Sequence, residues 1–118
     1  MKDNNITAVI IGAGPYGLSV AAHLRARNAD CAILGRPMGN WSCHMPHGML
    51  LKSEPFASCL WDPQRQLTPE RYSQEKRLPY RVSGRPVSLA QFLDYAQWFR
   101  EAAVPRVEDE EVVGLDRQ

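Results

Sequence analysis

The chain reads as an α/β fold that opens on a strand, helix, strand unit with parallel strands. Three observations predict it. Residues 6–11, Ile-Thr-Ala-Val-Ile-Ile, form a short apolar run rich in β-branched side chains. A turn punctuated by Gly12, Gly14, Pro15 and Gly17 follows, and leads into Tyr16 to Arg27 with Leu18, Ala21, Ala22 and Leu24 on a helical period. Cys31-Ala32-Ile33-Leu34 is then a second apolar run of strand length.

The first run has almost no polar interruption, which is the pattern of a parallel strand covered on both faces. The helix after it closes at the polar Asn28 before Asp30. So short a strand, helix, strand order implies a right-handed parallel crossover, the start of a doubly wound sheet.

Residues 36–86 are different. They hold seven of the nine prolines and show no sustained period, so they read as a long excursion. Order returns at Ser88, placed to cap a helix with Gln91 as the reciprocal partner three residues on. Leu89, Phe92, Leu93, Ala96, Phe99 and Ala103 mark one apolar face of that helix, and Pro105 ends it. Its aromatics are expected in the core rather than around a cofactor. Arg106-Val107 is a candidate third strand, and Val112-Val113-Gly114-Leu115 begins another after an acidic stretch. Open sheets of this class have about five or six strands, so the chain is expected to be an incomplete, N-terminal part of a larger domain.

Composition narrows the function classes. At 118 residues with 44% hydrophobic content, one small domain is the ceiling. The net charge is +1 and the basic residues are scattered, which argues against a nucleic-acid partner. Residues 1–5 are polar and the apolar segment after them is soon broken by glycine and proline, so neither a signal peptide nor a membrane span is expected. Cys31, Cys43 and Cys59 are an odd number without a repeating spacing, which fits a reducing, cytoplasmic setting.

Each glycine of Gly12-Ala13-Gly14-Pro15-Tyr16-Gly17 has its own physical task in a dinucleotide-binding turn. Gly12 permits the tight turn off the strand, Gly14 lets backbone approach a pyrophosphate, and Gly17 lets the helix lie close to the strand. The helix N-terminus adds free N–H groups and the positive end of the helix dipole. Between a strand and a helix this is the Rossmann-like βαβ signature. The second strand of such a unit normally ends in an acid that binds the ribose, but here Gly35 and then Arg36 stand there. A small residue followed by arginine suits the 2′-phosphate of NADP, so the motif leaves FAD and NADP both open.

Beyond the second strand, Gly39-Asn40-Trp41 is similar to the glycine-then-tryptophan loop of the two-dinucleotide flavoprotein monooxygenases. The segment from His44 to Ser53, the Pro-rich stretch and Phe92-x-x-Tyr95-x-x-Trp98-Phe99 extend that resemblance from about Thr7 to Leu115. The group includes flavin-containing monooxygenases, Baeyer–Villiger enzymes and amino-acid N-hydroxylases. The resemblance implies FAD at the N-terminal turn, Trp41 beside the flavin and residues 49–53, ending in Ser53, passing near it. It further implies flavin reduction by NADPH, followed by oxygen transfer to a small nucleophilic or carbonyl substrate. The second glycine motif and NADPH domain of that group are not in this sequence, and no residue stands out as catalytic.

Other residues carry alternative readings. Cys43, His44 and His47 match no standard zinc spacing, and His44 fits better as a polar group near the cofactor. His23 reads as a partly exposed helix residue, and Arg71, Lys76, Arg77, Arg81 and Arg85 as solvated loop charges.

Overall fold

Four-residue strands at Ala8–Ile11 (β1) and Cys31–Leu34 (β2) pair in parallel, Ala8 opposite Cys31 and Ile11 opposite Leu34, in a computed structural model that describes residues 6–117. The polar residues 1–5, where no signal peptide is expected, lie outside that range. Between the strands runs α1, Pro15–Ala26, and the unit is the strand, helix, strand arrangement that the apolar pattern predicts. Pro15 at the first helical position has the φ a helix needs and gives up an N–H that would lack an intrahelical acceptor. Asn28 closes the helix end in the left-handed conformation (φ 56°), which asparagine tolerates better than most residues.

The excursion is more ordered than its composition predicts. It contains a short helix α2 (Gly39–Cys43), a 3₁₀ turn (Pro55–Ala57) and helix α3 (Pro69–Lys76). Thr68 caps α3 by accepting the Arg71 N–H at 3.2 Å, Pro69 opens it and Glu70 lies in its first turn. The excursion is also clipped shut near its base. Leu51 N–H donates to the Val87 carbonyl at 2.8 Å and Leu89 N–H to the Met49 carbonyl at 2.9 Å, an antiparallel bridge centred on Leu50 and Ser88.

Helix α4, Leu89–Ala103, starts as predicted: Ser88 Oγ accepts the Gln91 N–H at 3.1 Å. It packs on α1, and Leu18, Ala21 and Ala22 of α1 share a core with Phe92, Tyr95, Ala96 and Phe99 of α4. The alanines let the two backbones approach, and complete burial of Phe99 contributes roughly 1.5–3 kcal/mol. Arg25 donates to the Ala103 carbonyl at the end of α4, where backbone acceptors are otherwise unpaired.

Three expectations about the sheet are corrected. Among the described elements β1 is covered on one face only: Ala8 and Ile10 are half-buried, whereas Val9 and Ile11 are 55% and 50% exposed because α1 packs on the opposite side. Instead of a strand at Arg106-Val107, the chain makes a one-residue parallel bridge at Glu108, whose N–H donates to Ile33 and whose carbonyl accepts from Gly35, each at 2.9 Å. Residues 112–115 are not a strand, since among the described residues no segment pairs with them and Val113 and Leu115 are exposed.

Tyr95 holds the excursion to the core. Its buried hydroxyl donates to the Leu67 carbonyl at 2.6 Å and accepts the Leu60 N–H at 3.2 Å. Tyr95→Phe leaves both groups without that partner, and the expected loss is about 1–3 kcal/mol, read from a denaturant midpoint. Burial pushes the hydroxyl pKa far above its ordinary value near 10. The folded state therefore holds this proton more tightly than the unfolded chain, so its contribution is complete below pH ~10 and falls as pH rises beyond it. Tyr95→Phe is expected to flatten the alkaline limb of the stability profile; an unchanged limb would count against that origin.

Candidate functional site

The glycine turn joins β1 to α1, and its glycines are required for different reasons. Gly12 has φ +107°, outside the range open to other side chains, although a Cβ there would meet nothing within 4 Å. Gly17 has ordinary helical geometry, but a Cβ on it would lie 2.0 Å from the Gly12 carbonyl oxygen. The close crossing of helix and strand thus fixes Gly17. Gly14 is unlike either, with φ −83°, ψ −170° and open space where its Cβ would be. Neither backbone conformation nor packing within the chain demands glycine there. The open space lies at the N-cap of α1, where no side chain caps the first turn and its N–H groups lack intrahelical acceptors.

Ala13 is buried and its carbonyl accepts the Met38 N–H at 2.9 Å, which ties the loop after β2 to the turn. Gly35 adopts φ +139°, and a Cβ there would come within 3.1 Å of the Ala13 N. The absent acid is therefore explained by the fold: an acidic side chain at position 35 would need a strained backbone and would crowd the turn. Arg36 is exposed, with its aliphatic stem against the Cα side of Gly39, where a Cβ would come within 3.2 Å of Arg36 Cβ.

A groove of about 720 Å³ runs beside the first turns of α1. Such a volume lies within the ~300–1,000 Å³ of small-molecule and cofactor sites. Pro15, Tyr16, Trp41 and Ser53, far apart in sequence, all line it. Tyr16 is 89% exposed, and Trp41 is half-buried with its ring 5.0 Å from that of Phe92. Ser53 Oγ is 2.6 Å from Ser58 Oγ. Gly12, Ala13, Gly14 and Gly17 make the turn itself, Gly35 packs against it from the end of β2, and Arg36 stands outside the groove lining.

Several lining residues carry no signal in the sequence. Ser19 Oγ donates to the Pro15 carbonyl at 2.7 Å and accepts the Trp61 N–H at 3.0 Å, which docks the excursion on α1. Trp61 then lines the groove with the Arg65 guanidinium stacked 3.3 Å from its ring centroid. Asp62 holds that loop, its carboxylate accepting the N–H groups of Gln66 and Leu67 at 3.0 and 2.9 Å. Phe92 is a core residue, as expected of the α4 aromatics, and its edge also lines the groove because α4 passes beneath Trp41. His23 is exposed and also lines the groove, whereas His44 caps the end of α2 and does not. Among the described residues no group of three His, Cys, Asp or Glu side chains is placed to hold a metal ion.

A parallel βαβ unit with a glycine turn under an uncapped helix N-terminus, opening on a groove, defines a nucleotide-binding Rossmann-like domain. The chain belongs to the NAD(P)-binding Rossmann-like domain family, whose profile matches residues 10–69. Its fold is similar to that of the bacillithiol disulfide reductase Bdr (YpdA) from Staphylococcus aureus, with a TM-score of 0.63 and 18% sequence identity. That similarity covers 90% of this chain and 28% of the reductase chain. No curated protein sequence matches the chain. Among the described residues no helix is long and apolar enough to cross a membrane.

Proposed function

We propose that the chain is the FAD-binding, N-terminal part of a flavin-dependent oxidoreductase that uses NAD(P)H. The observation that carries this reading is Gly14, a glycine that the fold itself does not require, directly before Pro15 and Tyr16, which line a groove together with Trp41 and Ser53. A glycine is favoured there once a pyrophosphate must approach the backbone. Gly12, Ala13 and Gly14 with the N–H groups of Tyr16 and Gly17 would hold the phosphates, and Pro15, Tyr16, Trp41 and Ser53 would border the rest of the cofactor. Bound there, the flavin supplies the electron transfer chemistry, while the protein positions it and limits access of water.

FAD is favoured over NADP because the turn is followed by the loop that carries Trp41, which lines the groove. The resemblance to flavoprotein monooxygenases supports oxygen transfer to a small nucleophilic or carbonyl substrate as the reaction class. The name of the structural neighbour, a disulfide reductase, supports the broader class of flavin-dependent, nicotinamide-using oxidoreductases. Three free cysteines support a cytoplasmic setting.

The test is uptake of FAD by the purified chain. The expected result is flavin absorbance co-eluting with the protein; a well-folded chain that takes up no added FAD sinks the reading. Arg36→Ala separates the two dinucleotides, because an arginine that held the 2′-phosphate would be needed for NADP far more than for FAD. We expect less than a threefold change in FAD affinity. A loss of tenfold or more for NADP, with FAD bound more weakly than NADP by the parent chain, would reassign the turn to NADP.

A further inference from the structure

Phe92 and Ser58 also line a second, partly open pocket, bordered by the 3₁₀ turn, α3, α4 and the loop of residues 79–87. Its volume is about 110 Å³. A closed apolar cavity of ~150 Å³ admits a benzene ring, so this smaller, partly open pocket takes at most a single small ring or short branched chain, with a polar head left at its opening. The walls are Tyr72, Phe92 and Tyr95, and Tyr80, Arg81 and Arg85 also line it. Among the described residues no carboxylate lines it.

The two arginines give the cavity its chemistry. Both are exposed, and among the described residues neither makes an ion pair. Glu54, on the flanking turn, is engaged elsewhere: its carboxylate accepts the Gly84 N–H at 2.8 Å and so holds the loop that carries both arginines. Burial, with smaller contributions from Glu70 and Cys59, keeps the Tyr80 hydroxyl above its ordinary pKa, so it remains a hydrogen-bond donor. An apolar floor under two free guanidinium groups and a phenol selects a ligand with an apolar body and an anionic head.

We infer that this cavity binds a small carboxylate with an aryl or branched acyl body, its carboxylate held by Arg81 and Arg85 and its body against Tyr72, Phe92 and Tyr95. The inference stands on the cavity alone and does not require that the groove take FAD.

Benzoate is the probe, titrated into the isotope-labelled full chain and followed by backbone amide shifts, with benzyl alcohol as the neutral comparison. The expected result is saturable binding of benzoate, with the largest shifts at Ser73, Arg81 and Gln91. Benzyl alcohol is expected to bind at least tenfold more weakly, and the double variant R81A/R85A to lose at least tenfold for benzoate alone. Both arginines are exposed, so the variant should fold, and an amide spectrum that otherwise overlays the parent's verifies it. The inference is overturned if benzoate does not bind the folded chain, binds the variant equally well, or shifts the groove residues Tyr16 and Ser53 instead. FAD uptake is read on the same samples. Benzoate binding without FAD uptake would sink the flavin proposal alone, and FAD uptake without benzoate binding would sink this one alone.

Discussion

Gly17→Ala is expected to destabilise the chain by about 3 kcal/mol, at the upper end of the usual cost of forcing atoms into a packed site. The sign is what makes the experiment informative. In an ordinary helix interior, alanine is more favourable than glycine by about 1 kcal/mol, so a solvent-facing glycine would give a more stable protein. Here the added methyl carbon would sit 2.0 Å from the Gly12 carbonyl oxygen, with the Gly12 carbonyl carbon at 3.1 Å. The obstruction is backbone, which cannot rotate away, so α1 must lift from β1 and loosen the core around Leu18 and Ala21. Small domains have only ~5–15 kcal/mol of stability in total, and the loss should be plain in a urea titration followed by circular dichroism. An unchanged or raised midpoint would show that helix and strand cross less closely than the structure has them.

Gly14→Asp should behave in the opposite way. Position 14 is the N-cap of α1 with an extended backbone, where aspartate is among the best residues and glycine is slightly worse. The new side chain enters open space, and its charge faces the positive end of the helix. The folded chain is therefore expected to be as stable as the parent or more stable by a few tenths of a kcal/mol. Dinucleotide binding should nevertheless fall at least a hundredfold, equivalent to about 2.8 kcal/mol, since a carboxylate would occupy the place of the pyrophosphate and repel it. Loss of binding together with loss of fold would remove the distinction between Gly14 and Gly17. Binding that survives the substitution would place the phosphates elsewhere.

These two glycines also show how far the sequence alone could be read. The spacing of Gly12, Gly14 and Gly17 between an apolar run and a helical period is local information, and β1, α1 and β2 follow it within two residues at each end. Helix α4 was legible for the same reason, from Ser88 to Pro105. Helix α3 was not, because Pro69–Lys76 is almost entirely polar and inward packing falls to Pro69, Tyr72 and Ser73, of which only Tyr72 is a large apolar side chain. Its start signal was nonetheless present, as Thr68 in the cap position, Pro69 first in the helix and Glu70 in the first turn.

Pairings across long sequence separations were beyond such reading. The Trp61 N–H reaches Ser19 over 42 positions, and the Tyr95 hydroxyl reaches Leu60 over 35. Each fixes where the excursion lies, and so which of its residues line the groove. The run at Val112-Val113 has strand composition, yet strand composition forms no strand without a neighbour to accept its hydrogen bonds. In β1 the residues match a strand covered twice, while the described elements cover it once. Gly35 is a different kind of case. Its place at the end of β2 was plain, but the reason for glycine there, the close approach to Ala13, depends on the turn and strand being folded together.

The claim that the glycine turn carries FAD is tested most directly by titrating FAD into the isotope-labelled chain and following its backbone amides. The account predicts saturable shifts that are largest at Gly12, Ala13, Gly14, Tyr16 and Gly17, with smaller ones at Trp41 and Ser53. It is contradicted if a folded chain shows no saturable shift, or if FAD moves other amides and leaves Gly14 and Gly17 where they were.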